Sequence, residues 1–223
     1  MWHGVPMTTG DRAPRRVPKQ ERSRDRVQRI LEATSRLVVA QGVDAVTTRS
    51  VAAAAGLPVA SLYQYFADKE SLLLALVERD VAEMDAQVSE DLDTLRTLTV
   101  ATLVGTTMRA FVKVYHRRPS FVVIWFRGRT NAAINDYVRS HNRGMADRLF
   151  GLATAAGMSV PGSDGLHAEL AVEVADRVFQ IAFETGLVGD PRVIDEGIAL
   201  VSAYLETHAT PAGLTGVPSP PLP

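Results

Sequence analysis

The chain has 223 residues, 46% of them hydrophobic and 22% charged, which is enough to bury a sizeable core and excludes a disordered polymer. It contains no cysteine, so disulfides, thiolate nucleophiles and Cys-ligated zinc are excluded together. The near-neutral balance of 24 Lys+Arg against 25 Asp+Glu conceals an asymmetry: residues 1–79 carry 12 basic and 8 acidic side chains, net +4, and the remainder carries net −5. A basic end beside an acidic one is expected where one region meets a polyanion and the other does not.

Residues 1–19 combine prolines and glycines with Arg12, Arg15, Arg16 and Lys19 and have almost nothing to bury, which predicts a flexible basic arm. The start of the chain lacks the apolar run of a secretory signal. The longest uncharged stretch, Ser50 to Ala67, is interrupted by Gly56, Pro58, Ser61 and Gln64, so no bilayer span is expected and the protein is read as soluble and cytoplasmic. Val27, Ile30, Leu31, Thr34, Leu37, Val38 and Gln41 repeat at helical spacing, predicting a first helix over 20–41 that stops at Gly42. Two short helical segments, Thr48 to Ala55 and Val59 to Phe66, flank Gly56. A long helix follows from Asp68, with Leu73, Leu76, Val77, Val81, Met84 and Val88 on one face. Further helices are predicted at about 98–118, 120–127, 131–156, 165–187 and 191–208, and the proline-rich residues 210–223 are predicted to be a disordered tail. No alternating strand pattern interrupts the series, so the expectation is an all-α chain of about nine helices and no sheet.

The informative stretch is TTRSVAAAAGLPVASLYQYF, Thr47 to Phe66. A helix-turn-helix needs a small residue where its helices cross, a residue tolerant of positive φ in the turn and aliphatic side chains to lock the angle. Ala52, Gly56, and the seam of Val51, Ala55, Leu57 and Leu62 supply these, and Thr47 or Thr48 supplies the N-cap. The short second helix then turns Val59, Ala60, Ser61, Tyr63 and Gln64 outward, while Tyr65 and Phe66 fall on the seam.

With Gly42, Thr47-Thr48, Val51-Ala52, Ala55-Gly56-Leu57, Ser61-Leu62-Tyr63, Tyr65-Phe66, Lys69-Glu70 and Leu72-Leu73 in register, residues 20–80 resemble the tetracycline-repressor (TetR) family of transcriptional regulators. The resemblance implies a three-helix DNA-binding domain at 20–67, an effector-binding and dimerisation domain at 68–209, and a homodimer on a pseudo-palindromic double-stranded operator. It also implies phosphate contacts for Thr48, Ser61, Tyr63 and Lys69, whose hydroxyls and cation suit a backbone clamp. Arg49 stands where a side chain can reach a base, leaving Val59, Ala60 and Gln64 for the other base edges. The chain departs from the family pattern at Pro58, where a Ser or Thr is common, and at Ala60, where a glycine is frequent.

The second region carries no signature of catalysis. His3, His116, His141, His167 and His208 are scattered, and no zinc, phosphate-loop or nucleophile-elbow motif is present, so neither a metal nor a cofactor is expected and the protein is not read as an enzyme. Its aromatic and soft apolar residues, Met108, Phe111, Tyr115, Trp125, His141, Met145, Phe179 and Phe183, lie on several helices and are the candidates for lining an effector site, with Arg109 and Asn142 as polar orienters. The last two helices have apolar residues on more than one face, which predicts pairing with a second copy. The leading expectation is a dimeric repressor released from its operator by a small molecule. The alternatives are an enzyme or small-molecule-binding protein that keeps a helix-turn-helix as scaffold, and a regulator controlled by a protein partner.

Overall fold

The apolar period along the chain closes into ten α-helices and one pair of short strands in the structure, a computed structural model that describes residues 19–127 and 132–219. The expected basic arm lies outside the described residues apart from Lys19. The first helix, α1 (Lys19–Ala45), is interrupted by Gly42 at φ 79°, where the periodicity ends. α2 (Thr48–Ala54) starts at Thr47, whose hydroxyl accepts from the Ser50 amide while the Ser50 side chain accepts from the Thr47 amide. This reciprocal cap resolves the choice between Thr47 and Thr48. Gly56 makes the turn at φ 65°, and α3 (Val59–Leu62) is shorter than expected because the backbone beyond Leu62 continues only as turns.

α4 (Lys69–Asp93) opens with the same device, Asp68 capping Ser71, and those hydrogen bonds from Ser71 hold the Asp68 carboxyl below its ordinary range. Leu72, Leu73, Leu76, Val77, Val81, Met84, Val88 and Leu92 bury one face of α4 along its whole length, so a single helix runs from the small N-terminal unit through the larger one. α5 (Val100–Arg117) packs along α4. The chain then turns through Pro119 into α6 (Pro119–Val122) and a π-helical turn (Val123–Arg127), both of which pack against α1. α7 (Ala132–Ala155) lies on α8 (Leu166–Ala182), and α8 lies on α9 (Pro191–Glu206), which returns to α5. α8 and α9 approach closely at Gly197, where a Cβ would stand 2.3 Å from Val178 Cγ1.

The expected disordered tail over 210–223 is corrected by the structure as far as Ser219. Thr210 caps α10 (Pro211–Thr215), and β2 (Val217–Pro218) pairs antiparallel with β1 (Thr97–Leu98) at the junction of α4 and α5. Proline-rich composition suggested a chain with nothing to bury, but these prolines sit at a helix N-terminus and on a strand edge, where a missing N–H costs nothing. The same pairing overturns the expectation of no sheet.

Candidate nucleic-acid interface and ligand cavity

On the N-terminal unit the outward side of α2 and α3 carries the expected residues. Arg49, Ala60 and Gln64 are exposed, Thr48, Val59 and Ser61 are half-buried, and Tyr63 is 52% exposed, high for an aromatic side chain. The Tyr63 hydroxyl lies 3.0 Å from Thr48 Oγ1, so the two groups expected on phosphate already stand together. Lys69 Nζ donates to the Asp44 carbonyl at 3.2 Å, fixing the ammonium at the end of α1 and leaving two of its three donors for another acceptor. Phe66 is buried, and Tyr65 packs half-buried against the core with its hydroxyl bonded to Ser23 and Arg26, bonds that hold its pKa below the usual phenol value.

One role in this unit went unread in the sequence. Arg29, exposed on α1, reaches across with its Nη2 to donate to the Ala55 carbonyl at 2.7 Å, closing the end of α2 beside the Gly56 turn.

In the larger domain a cavity of about 120 Å³ lies between α4, α5, α7, α8 and α9. Met108, Phe111, Tyr115, Trp125, His141, Met145 and Phe179 all line it, seven of the eight residues expected there. Phe183 does not. It is fully buried at the end of α8 in a cluster with Tyr115 and Phe126, ring centroids 5.2 and 6.0 Å away, and Gly189 presses on its ring from the loop to α9. Arg109 is likewise not a cavity residue: it points outward to Asp195 at 3.3 Å. Asn142 does line the cavity and donates to Glu173 at 3.0 Å.

Polar groups the sequence did not single out complete the wall. The Asp176 carboxylate accepts from Trp125 Nε1 and from Gln180 Nε2, each at 2.8 Å. His141 Nε2 meets Asp85 Oδ1 at 3.0 Å, and the same oxygen accepts from Arg148 at 3.0 Å. At the other end the His167 and His208 rings stack in parallel, 3.5 Å between centroids, beside Tyr204. Nothing in linear spacing marks Asp85, whose partners come from α7, or the bond from Trp125 to Asp176, which joins the π-helical turn to α8; Gln180 is the one partner that shares a helix with its carboxylate. Among the described residues no cluster of three or more His, Asp or Glu is arranged to hold a metal ion.

Between the two sites lies a charged junction. Asp80 of α4 is fully buried, with Arg79 Nη2 at 2.7 Å and Arg118 Nε at 3.8 Å from its Oδ1. Burial nevertheless outweighs both arginines and raises its carboxyl above the ordinary range. Arg79 also reaches Glu32 of α1 at 3.0 Å, and Arg118 reaches Glu83 at 2.6 Å. For Glu83, burial acts to raise the pKa, but the bonds from Arg118 and Arg117 together prevail and leave it low. Ser35 of α1 adds a hydrogen bond to Ser120 of α6 at 2.7 Å.

Residues 30–76 match the profile of the bacterial regulatory proteins of the tetR family, and residues 98–209, half of the chain, match the tetracyclin repressor-like C-terminal domain. The chain belongs to the TetR family. The HTH-type transcriptional repressors KstR of Mycobacterium tuberculosis and Mycolicibacterium smegmatis are each 39% identical to it over 67 residues, 30% of this chain and 30% and 33% of theirs, so the match spans about a third of these curated relatives. A TetR-family transcriptional regulator from Streptomyces coelicolor superimposes with a TM-score of 0.67 at 26% identity, covering 82% of this chain and 99% of that one. FadR from Bacillus subtilis, solved in complex with stearoyl-CoA, superimposes with a TM-score of 0.63 at 14% identity over 79% of this chain and 98% of its own, a likeness of fold alone. No described helix is long and apolar enough to cross a membrane.

Proposed function

We propose that this TetR-family protein is a homodimeric, cytoplasmic transcriptional repressor that binds a pseudo-palindromic DNA operator and leaves it when a small molecule fills the cavity of the larger domain. The observation that carries this reading is the joining, by α4, of an outward helix-turn-helix surface to an apolar cavity. Thr48, Ser61, Tyr63 and Lys69 are the proposed phosphate contacts, Arg49 the proposed bidentate base contact, and Val59, Ala60 and Gln64 the proposed readers of the remaining edges. Met108, Phe111, Tyr115, Trp125, His141, Met145 and Phe179 are the proposed effector wall.

Dimerisation is supported by an unpartnered stripe on α8. Leu166, Leu170, Val174 and Ile181 recur at helical spacing, and all are exposed, as is Leu200 on α9. A two-fold pairing of these helices would present two α3 helices to matching half-sites. Coupling between the sites is supported by the Asp80, Arg118 and Glu83 junction, which ties the segment leading into the cavity wall to α4, and through Arg79 and Glu32 to α1. Linkage then requires that DNA weaken effector binding by the same factor by which effector weakens DNA binding.

The test is selection of genomic fragments by the purified full chain. An enriched palindromic site bound with steep salt dependence is expected. Recovery of no sequence, with affinity independent of salt, would favour a binding protein that keeps the helix-turn-helix as scaffold.

A further inference from the structure

Two polar atoms of residues that line the cavity, Thr107 Oγ1 on α5 and His141 Nδ1 on α7, are buried without a hydrogen-bond partner. Such atoms carry a desolvation penalty that a suitable ligand removes. The chemistry of that ligand follows from the second nitrogen of His141. Nε2 faces Asp85 Oδ1 at 3.0 Å, and since a carboxylate only accepts, the proton resides on Nε2. Arg148 bonds the same carboxylate oxygen. In its neutral form, with that proton on Nε2, the imidazole presents Nδ1 as a bare acceptor, which requires a donor. The Thr107 hydroxyl can donate or accept, so it places no further demand on the ligand's polarity.

Size and charge narrow the class further. Cavities of about 150 Å³ lined by apolar side chains accommodate a single benzene ring, and this one measures about 120 Å³. Phe111, Tyr115, Trp125 and Phe179 offer ring faces and edges to a planar guest. No lysine or arginine is among the described lining residues, so a carboxylate or phosphate would meet no permanently charged cation there.

We propose that the cavity takes a neutral, compact aromatic molecule bearing one hydroxyl, a phenol or benzylic alcohol whose O–H donates to His141 Nδ1. This rests on reading the cavity as the effector site. It excludes acyl thioesters and fatty-acid anions as the preferred ligand.

The experiment uses the full chain with Trp2→Phe, which leaves Trp125 in the cavity wall as the single tryptophan. Its fluorescence is titrated with 4-ethylphenol, 4-ethylanisole and 4-ethylbenzoate. The phenol is expected to bind roughly tenfold more tightly than its methyl ether, with the benzoate weakest. His141→Phe in the same background is expected to bring the phenol and ether to equal affinity while the ether's own binding persists. Equal binding of phenol and ether by the unsubstituted cavity, or tightest binding of the benzoate, overturns the proposal and leaves the cavity as an effector site. Binding of none of the three at millimolar concentration overturns the proposal and the effector reading together, whereas operator selection tests the DNA-binding reading separately. The three-probe ranking does not depend on the variant, so a His141→Phe protein that fails to fold leaves the test standing.

Discussion

Several polar side chains of the N-terminal unit are paired before any partner arrives, whereas some of those in the larger domain are buried without a partner. Thr48 is paired with Tyr63, Lys69 with the Asp44 carbonyl and Arg29 with the end of α2. Beside the cavity, Thr107 Oγ1 and His141 Nδ1 are buried with nothing to bond. The first arrangement is a preorganised surface that loses little entropy on docking. The second is an interior left incomplete, whose stability rises with occupancy by mass action.

The sharpest way to break this contrast is to compare two phenylalanines. Phe183 belongs to the filled core, so Phe183→Ala is expected to cost roughly 3–5 kcal/mol in urea denaturation. Phe111 stands on the cavity wall and is only partly buried, so Phe111→Ala is expected to cost clearly less while changing ligand affinity. Equal costs would mean that the cavity is packed as tightly as the core. Next in size is Gly197→Ala, whose new methyl meets Val178 and is expected to cost roughly 1–3 kcal/mol. Adding Val178→Ala should return part of that loss in a double-mutant cycle, as a steric origin requires.

Glu83→Gln probes the junction, with an expected loss of roughly 1–2 kcal/mol at neutral pH. Because the folded-state pKa of Glu83 is lowered, its contribution is present above the ordinary glutamate range and is lost as pH falls through the folded value. The difference between variant and parent should therefore close in acid. Asp80 runs the other way: its raised carboxyl favours the folded state at low pH and loses that contribution as pH rises through the folded value. The smallest expected effect is that of Lys69→Ala, a severalfold loss of operator affinity with the salt slope reduced by about one, measured by titration at several salt concentrations. Arg49→Ala in the same assay should relax base preference as well.

The DNA-reading unit was legible because its determinants are local. Thr47 caps three residues ahead, Gly56 marks the turn, and the seam repeats within one window. The cavity was half legible: aromatic and sulfur-bearing residues at helical spacing located seven lining side chains, but spacing cannot distinguish Phe179 from Phe183, four residues apart on one helix. Only the return of the loop at Gly189 decides that Phe183 is covered. Asp85, Arg29 and the Asp176 bond to Trp125 act across 26 to 63 residues, and no window contains both ends of such a pair. The C-terminal strap was misread because composition reports what a segment can bury, not which edge it can complete.

That strap has a mechanical consequence. The Thr210 amide donates to Met158 O, Ala209 bridges to Ser159, and the Ser219 amide donates to Arg96 O just ahead of β1. Met158, Ser159, His208 and Ala209 also line one end of the cavity. The closing stretch is thus a latch, fastening the far end of α4 to the wall of the chamber. A protein cut after Ala209 is expected to keep its helices yet report cavity occupancy to its DNA-reading end less faithfully, so that the most dispensable-looking residues set how tightly the two halves are geared.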